Sequence, residues 1–329
     1  MARKRYTQAI NEALIEEMER DPKIIVFGED VELAMFGDTR GLLAKFGPDR
    51  VKNTPICEAT LAGMAVGAAA AGYRPILHML FSNFIYTGFD AIANQMARLR
   101  LMTGGQISLP ITIMAVYGGG GSQAAQHSDC PHPALMNMGG IEVLLPALPA
   151  DAKGLMKAAI RSDNPTFFLS AGSLGGTAGE VPDGDFVTPI GKIGIVEEGS
   201  DVTLLSIGSM IRASQAAVKT LRAEGISVDL VDVRSLAPLD EAGIIERIGR
   251  TGRVVITDEA RERCSGASEI AALIAERGFA HLKAPVLRVT APNVSMPYAP
   301  NAEQAVFPNA EKIAAAIRQL VPQKESALS

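Results

Sequence analysis

The sequence predicts an α/β fold built from two doubly wound domains, and three observations carry that prediction. Strand-like apolar runs alternate with helical patterns along nearly the whole chain. The runs are continuous, as strands buried on both faces of a parallel sheet require. At 329 residues, the chain is also too long for one ordinary core.

The elements follow in order. Residues 7–19 space apolar and charged side chains at helical intervals, and Ile24 to Phe27 form a short apolar strand ending at Gly28. Pro55 holds the chain extended, so Glu58 falls in the first turn of a helix of small residues. A strand near Pro75 to Leu80 and a helix from Phe89 to Met102 come next. Ile111 to Val116 make a strand running into Gly118–Gly121. After a long loop come a strand near Ile141, a helix opened by Asp151, and a strand from Thr166 to Leu169. Gly172 to Gly191 is rich in Gly, Pro and Asp, with little periodicity. Further strands are expected at residues 202–207, 227–231, 254–257 and 286–289, with helices between. The reading is a first domain over residues 1–175, a linker over 176–195 and a second domain over 196–329.

Composition excludes several classes. A net charge of −5 leaves no electrostatic footprint for nucleic acid, and Arg3, Lys4 and Arg5 are too few to change that. The most apolar stretch, Leu61 to Phe81, is interrupted by Arg74, Pro75 and His78, so no membrane span is expected. Residues 9–19 already follow a helical pattern, which does not suit a signal peptide. Cys57, Cys130 and Cys264 lie too far apart for a disulfide framework or a four-ligand zinc site, which points to a reducing, cytoplasmic compartment.

Few residues stand out as chemistry. Gly118–Gly121 lack the Lys-Ser or Lys-Thr of a P-loop, and read either as a flexible turn or as backbone that approaches a ligand closely. Glu58 suits the helix dipole, but its apolar neighbours would bury it and make it a candidate proton donor. His127 lies in the loop after the glycines and is either a proton-exchanging group or a simple hydrogen-bonding residue. His132, between two prolines, reads as structural.

Several strings occur in one order: Gly28-Glu29-Asp30-Val31, Arg50-Val51 with Asn53-Thr54-Pro55-Ile56 and Glu58, Gln126-His127-Ser128, Asp151-Ala152-Lys153-Gly154, and Pro297-Tyr298-Ala299-Pro300. Together they resemble the beta subunit of the thiamine-diphosphate-dependent first component of pyruvate, branched-chain 2-oxo acid and acetoin dehydrogenase complexes. The resemblance covers nearly the whole chain. It implies a transketolase-like pyrimidine-binding domain followed by a transketolase C-terminal domain. The glutamate matching Glu58 hydrogen-bonds N1′ of the cofactor aminopyrimidine and promotes its imino form. Glu29 matches a second acid near the cofactor, Phe84 a ring stacked on the pyrimidine, and Leu80 a lining residue. His127 matches a histidine that assists substrate or acyl transfer to lipoyl groups.

The family's diphosphate signature, Gly-Asp-Gly with a later pair of asparagines, is absent, and the nearest string is Asp183-Gly184-Asp185. The resemblance therefore implies that Mg²⁺ is held by a separate alpha subunit in an α₂β₂ heterotetramer, with a lipoyl-bearing acyltransferase as acceptor. It also implies a structural potassium ion with backbone ligands at Ile111, Ala159, Ile160 and Asn164, although Ser162 replaces the usual acid. Three further positions depart from the pattern. Asn137-Met138-Gly139-Gly140 stands where a second histidine is common, Asp129 where Gln is common, and Ser170 where an acid is common. These leave two other readings open: a split transketolase-like enzyme with a non-lipoyl acceptor, and a non-catalytic scaffold.

Overall fold

In the computed structural model, which describes residues 1–321, backbone contacts divide the chain into two units. The first unit comprises residues 1–191, 235–239 and 296–303. Its strands are β1 (Ala2–Arg5), β2 (Ile24–Gly28), β3 (Val51–Asn53), β4 (Arg74–Phe81), β5 (Thr112–Tyr117), β6 (Glu142–Leu144), β7 (Thr166–Ala171) and β8 (Ala178–Val181). Its helices are α1 (Tyr6–Arg20), α2 (Leu42–Phe46), α3 (Glu58–Ala70), α4 (Leu99–Met102), α5 (His132–Met136) and α6 (Pro149–Arg161).

The second unit contains β9 (Gly194–Glu197), β10 (Val202–Ser206) and β11 (Val228–Asp232), after which β12 (Ser235–Ala237) belongs to the first unit. It continues with β13 (Val254–Arg261) and β14 (Leu287–Ala291), and with helices α7 (Ile211–Ala223), α8 (Glu241–Thr251) and α9 (Gly266–Arg277). Helix α10 (Pro300–Val306) starts among the first unit's residues, and α11 (Ala310–Leu320) lies in the second. The second unit's sheet runs β14-β13-β10-β11-β9, parallel except for β9. Side-chain caps from Asp240, Ser265 and Asn309 start α8, α9 and α11.

The first unit's main sheet runs β12-β6-β7-β5-β4-β2-β3, parallel except for β12. From β2 the chain steps outward to β3, then returns across β2 to β4 and proceeds the other way. That reversal opens a crevice at the carboxyl ends of β2 and β4, the usual ligand position in open α/β sheets. No helix among the described residues is long and apolar enough to cross a membrane.

Two local expectations differ. The segment expected as a linker contains β8, which pairs antiparallel with β1 from Ala2↔Val181 to Arg5↔Ala178. The basic N-terminus is therefore a strand, hidden from pattern reading because its exposed edge carries Arg3 and Arg5. The helix expected over residues 89–102 is divided into a π-helical turn, Ala91–Met96, and the short α4.

An ion ladder joins α1 to α6. Glu12, Glu16 and Glu17 on one helix face Lys153, Lys157 and Arg161 on the other, as i, i+4 spacing allows. Lys153 and Lys157 both donate to Glu16 at 2.7 Å, although each lysine is only 1% exposed. Arg161 bridges Glu17 and Asp185. Burial pushes Glu16 upward, but its bonds from Lys153 and Lys157 outweigh that and hold it below the usual carboxylate range. Hydrogen bonds from Lys157 and Arg161 bring Asp185 to about 2. The Asp151–Gly154 string has a physical basis here, since a Cβ at Gly154 would lie 2.2 Å from Thr188 Oγ1.

Removing Lys157 leaves Glu16 with Lys153 and Asp185 with Arg161, so each acid keeps one cation. Lys157→Met is expected to cost about 1 kcal/mol of unfolding free energy at pH 7, below the cost of a fully broken buried pair because these acids also reach solvent. The acids' folded pKa values are depressed, so their contribution is present above their unfolded values and lost as pH falls toward about 2. Denaturant unfolding at pH 7 and pH 2.5 checks this: the gap between parent and variant narrows at the lower pH.

Candidate active site

The crevice begins with a close backbone approach. Gly28 ends β2 at φ +147°, and a Cβ there would lie 2.0 Å from the His78 carbonyl oxygen of β4. Only glycine admits that contact. The next residue, Glu29, donates its N–H to the same carbonyl at 3.3 Å. Its side chain is 3% exposed, and Oε1 has no hydrogen-bond partner. Burial pushes the Glu29 carboxyl up to about 7, reinforced by the charges of Glu58 and Asp30 and opposed by His78.

Glu58 arrives from β3. Thr54 donates its N–H to the Gly28 carbonyl at 3.0 Å, and four residues later Glu58 opens α3. The sequence suggests that apolar neighbours bury this carboxylate, yet Glu58 is only half-buried. Ile56 is 78% exposed and Ala59 and Thr60 also face outward, so this chain does not close an apolar wall around it.

Leu80 is placed by a bulge. The register between β4 and β5 slips between His78 and Phe81, and Leu80 adopts φ +55°, rare for a non-glycine residue. Its N–H meets His78 Nδ1 at 3.3 Å, while His78 Nε2 lies 3.2 Å from Asp38 Oδ2. Because Nδ1 accepts, the imidazole proton is assigned to Nε2, facing the carboxylate. Burial pushes Asp38 upward, but His78 and backbone N–H bonds outweigh it and hold the carboxyl below its ordinary value. Sequence reasoning missed both Asp38 and His78. A histidine inside an otherwise apolar strand was the available signal.

His127 sits on a single 3₁₀ turn, Ala125–His127. Its ring meets Phe81 edge-on at 4.7 Å and Phe84 at 5.6 Å, and Phe84 lies in the turn Ser82–Tyr86 that follows β4. Asn83 ties the loop down by accepting from the Asp129 N–H at 3.2 Å and donating to the Ala125 carbonyl at 3.5 Å. The structure therefore groups Glu29 with Glu58 electrostatically and Phe84 with His127 by ring contact, with β4 supplying Leu80 and Phe81 between the two groups. His132 is fully buried and meets the Tyr117 ring edge-on, which suits a packing role.

The residues expected around potassium are arranged differently. The Ile111 and Ala159 carbonyls accept from the Thr166 and Ser162 N–H groups at 2.8 and 3.2 Å. The Asn164 carbonyl accepts from Thr166 Oγ1 at 3.3 Å. Arg74 Nε donates to the Ile160 carbonyl at 2.8 Å, and the same guanidinium reaches the Ser162 carbonyl at 2.6 Å and the Asp163 carboxylate at 3.1 Å. A guanidinium thus already brings positive charge to the carboxyl end of α6, where the helix dipole favours a cation. Asp183 pairs with the N-terminal amine and Asp185 with Lys157 and Arg161, so both serve ion pairs within the first unit.

Residues 3–175 match the transketolase pyrimidine-binding domain, and residues 191–313 match the transketolase C-terminal domain. The chain is 41% identical to the acetoin:2,6-dichlorophenolindophenol oxidoreductase subunit beta of Cupriavidus necator, over 97% of this chain and 98% of that protein. The chain belongs to the transketolase-like family of dehydrogenase E1 beta subunits. This E1 beta chain is also 40% identical to the 2-oxoisovalerate dehydrogenase subunit beta of Bacillus subtilis, over 96% of this chain and 98% of that protein. Among solved structures it resembles a split-gene transketolase described as an inactive beta4 tetramer, with TM-score 0.81, 27% identity, and coverage of 96% of this chain and 98% of that one.

The family depends on thiamine diphosphate. The residues of this E1 beta chain fit the cofactor's aminopyrimidine end: a buried carboxyl oxygen without a partner lies beside a second acid at a sheet switch point. That arrangement opposes stability. A carboxyl with a raised folded pKa binds its proton more tightly when folded, so stability falls as pH rises from about 4.5 through about 7. Glu29→Gln is therefore expected to stabilise the chain by about 2 kcal/mol at pH 8 and to leave it unchanged at pH 4. Chemical unfolding of both proteins across that range checks the sign.

Proposed function

We propose that this chain supplies the aminopyrimidine half of a thiamine-diphosphate active site, with an alpha-type partner supplying the diphosphate and Mg²⁺ ligands. The observation that carries this reading is the Glu29–Glu58 pair, one acid buried with an unpartnered oxygen and the other left without an apolar wall. When bound, thiamine diphosphate supplies the electron sink for decarboxylation of a 2-oxo acid or carbon–carbon cleavage of acetoin. Glu58 exchanges a proton at the pyrimidine N1′. Glu29 stays substantially protonated near neutral pH, which limits repulsion between the acids and keeps a hydrogen-bond donor beside the ring. Leu80 and Phe84 orient the pyrimidine, and His127 acts on the substrate side during acyl transfer to a lipoyl-bearing acyltransferase. A cytoplasmic location belongs to the same reading.

Helix α3 supports the partner. It is apolar nearly all round, and Thr60, Gly63, Met64, Gly67 and Ala70 face outward. A methyl group added at Gly63 or Gly67 would meet no other atom within 4 Å. Each glycine costs the helix about 1 kcal/mol relative to alanine, with no packing return among the described residues. A partner backbone packed closely against this face would account for both, and could complete the wall missing around Glu58.

The altered stretch Asn137–Gly140, with Asp129 and Ser170, favours a second reading, a split transketolase-like enzyme with a non-lipoyl acceptor. Turnover that does not depend on a lipoyl partner would select it.

Calorimetric titration of thiamine diphosphate with Mg²⁺ tests the shared site. Tight binding is expected only when the chain is mixed with an alpha subunit, and tight binding to the chain alone overturns the proposal. In the reconstituted enzyme, Glu58→Gln is expected to lower turnover by about a hundredfold or more, whereas a scaffold would be indifferent to it. Gly67→Leu should raise the melting temperature of the isolated chain slightly, by the order of 1 kcal/mol in stability, yet prevent assembly in sedimentation experiments.

A further inference from the structure

We propose that Glu303 is a positioning residue that holds the His127 loop in its working conformation, an inference that rests on the reading of His127 given above. The loop leaves β5 at Gly118 and closes on itself where the Gly118 N–H donates to the Asp129 carbonyl at 3.1 Å. Within it, Gly118, Gly120, Ser122 and Ala124 all take positive φ, at +90°, +93°, +52° and +61°. For Ser122 and Ala124 this backbone is unfavourable and must be held by something outside the loop.

Glu303 provides that hold. Its carboxylate is 4% exposed, accepting the Gly120 N–H on Oε1 at 2.8 Å and the Ser122 N–H on Oε2 at 3.1 Å. The Ser122 hydroxyl lies 3.4 Å from the same Oε2. Backbone N–H groups turned toward one point form a natural anion receptor, and here those of Gly120 and Ser122 meet an anion that belongs to the chain itself. The glycine run, which the sequence leaves open between a flexible turn and a ligand-binding backbone, is a receptor with a built-in occupant. That occupant comes from 183 residues further along the chain, three residues after the Pro297–Pro300 string.

The loop is therefore held from both ends. Asn83 fixes its far end at Ala125 and Asp129, and Glu303 fixes its near end at Gly120 and Ser122. His127 lies between Ala125 and Asp129, with its ring against Phe81 and Phe84. Charge-assisted bonds at the near end are the stronger kind and set where the 3₁₀ turn begins. Glu303 does not reach the reacting atoms in this account. It acts through the backbone that presents His127.

Glu303→Gln tests this, because it keeps the shape but turns one acceptor oxygen into an NH₂ that faces an N–H donor. In the full-length chain, amide hydrogen exchange over residues 118–127 is expected to accelerate by about tenfold or more, while exchange elsewhere is unchanged. In the enzyme reconstituted with its alpha subunit, kcat is expected to fall by about tenfold or more while the Kd for thiamine diphosphate stays within about twofold. Glu303→Asp, which keeps the charge, should recover part of the loss. Unchanged exchange over residues 118–127 overturns the proposal, and so does faster exchange with unchanged kcat. If the parent assembly turns over no 2-oxo acid or acetoin, the role of His127 fails, and the exchange arm alone still decides whether Glu303 orders the loop. Should Glu303→Gln not fold, Glu303→Asp is read against the parent by the same exchange criterion.

Discussion

The contact between Gly28 and the His78 carbonyl is the constraint on which the candidate site depends. With no Cβ at Gly28, β2 and β4 meet closely at their carboxyl ends, where the strand order reverses. Glu29 is then forced inward beside β4, and the chain leaving β3 is tied to Gly28 before it delivers Glu58. The same stretch of β4 carries the bulge that turns Leu80 and sets Phe81 under His127. One backbone approach thus ties Glu29, the segment that delivers Glu58 and the bulge that turns Leu80 to the same end of the sheet. A side chain at position 28 would disturb all of them together.

Charge is used in two opposite ways within the first unit. Along α1 and α6, carboxylates and cations are matched, and burial is offset by direct hydrogen bonds. At the crevice, Glu29 is buried without a matching cation and lies near two other acids. The ladder stabilises the fold, whereas the acid pair destabilises it. A buried carboxyl without a hydrogen-bond partner marks a candidate functional group. Arg74 belongs with the ladder in this respect, because it gathers the carbonyls at the end of α6 around a fixed charge.

On the proposed reading, helix α3 would link the site to assembly. The residue that opens it is the candidate acid, and the outward face of the same helix carries glycines with no packing role among the described residues. A partner surface would then explain both the half-burial of Glu58 and the exposure of Gly63 and Gly67. Chemistry and association would be coupled through a single helix.

Much of the fold was legible in the sequence because buried parallel strands favour apolar runs, as in β2, β5, β7 and the first residues of β13, and such segments alternate with helical patterns. The short, charged or edge strands β1, β3, β8, β9 and β12 were not, since their pairing comes from distant segments and leaves little periodicity. The sequence by itself singled out Glu58 and His127, and its ordered motifs determined the family and named Glu29, Leu80 and Phe84. Tertiary structure decided the environments: which acid is buried, which helix face lies open, that Arg74 stands among the carbonyls expected to hold potassium, and that Glu303 fills the glycine loop. Periodicity reports burial along one element, but a carboxylate's pKa or a loop's anchor depends on groups brought together from far along the chain, and only the folded arrangement specifies those neighbours.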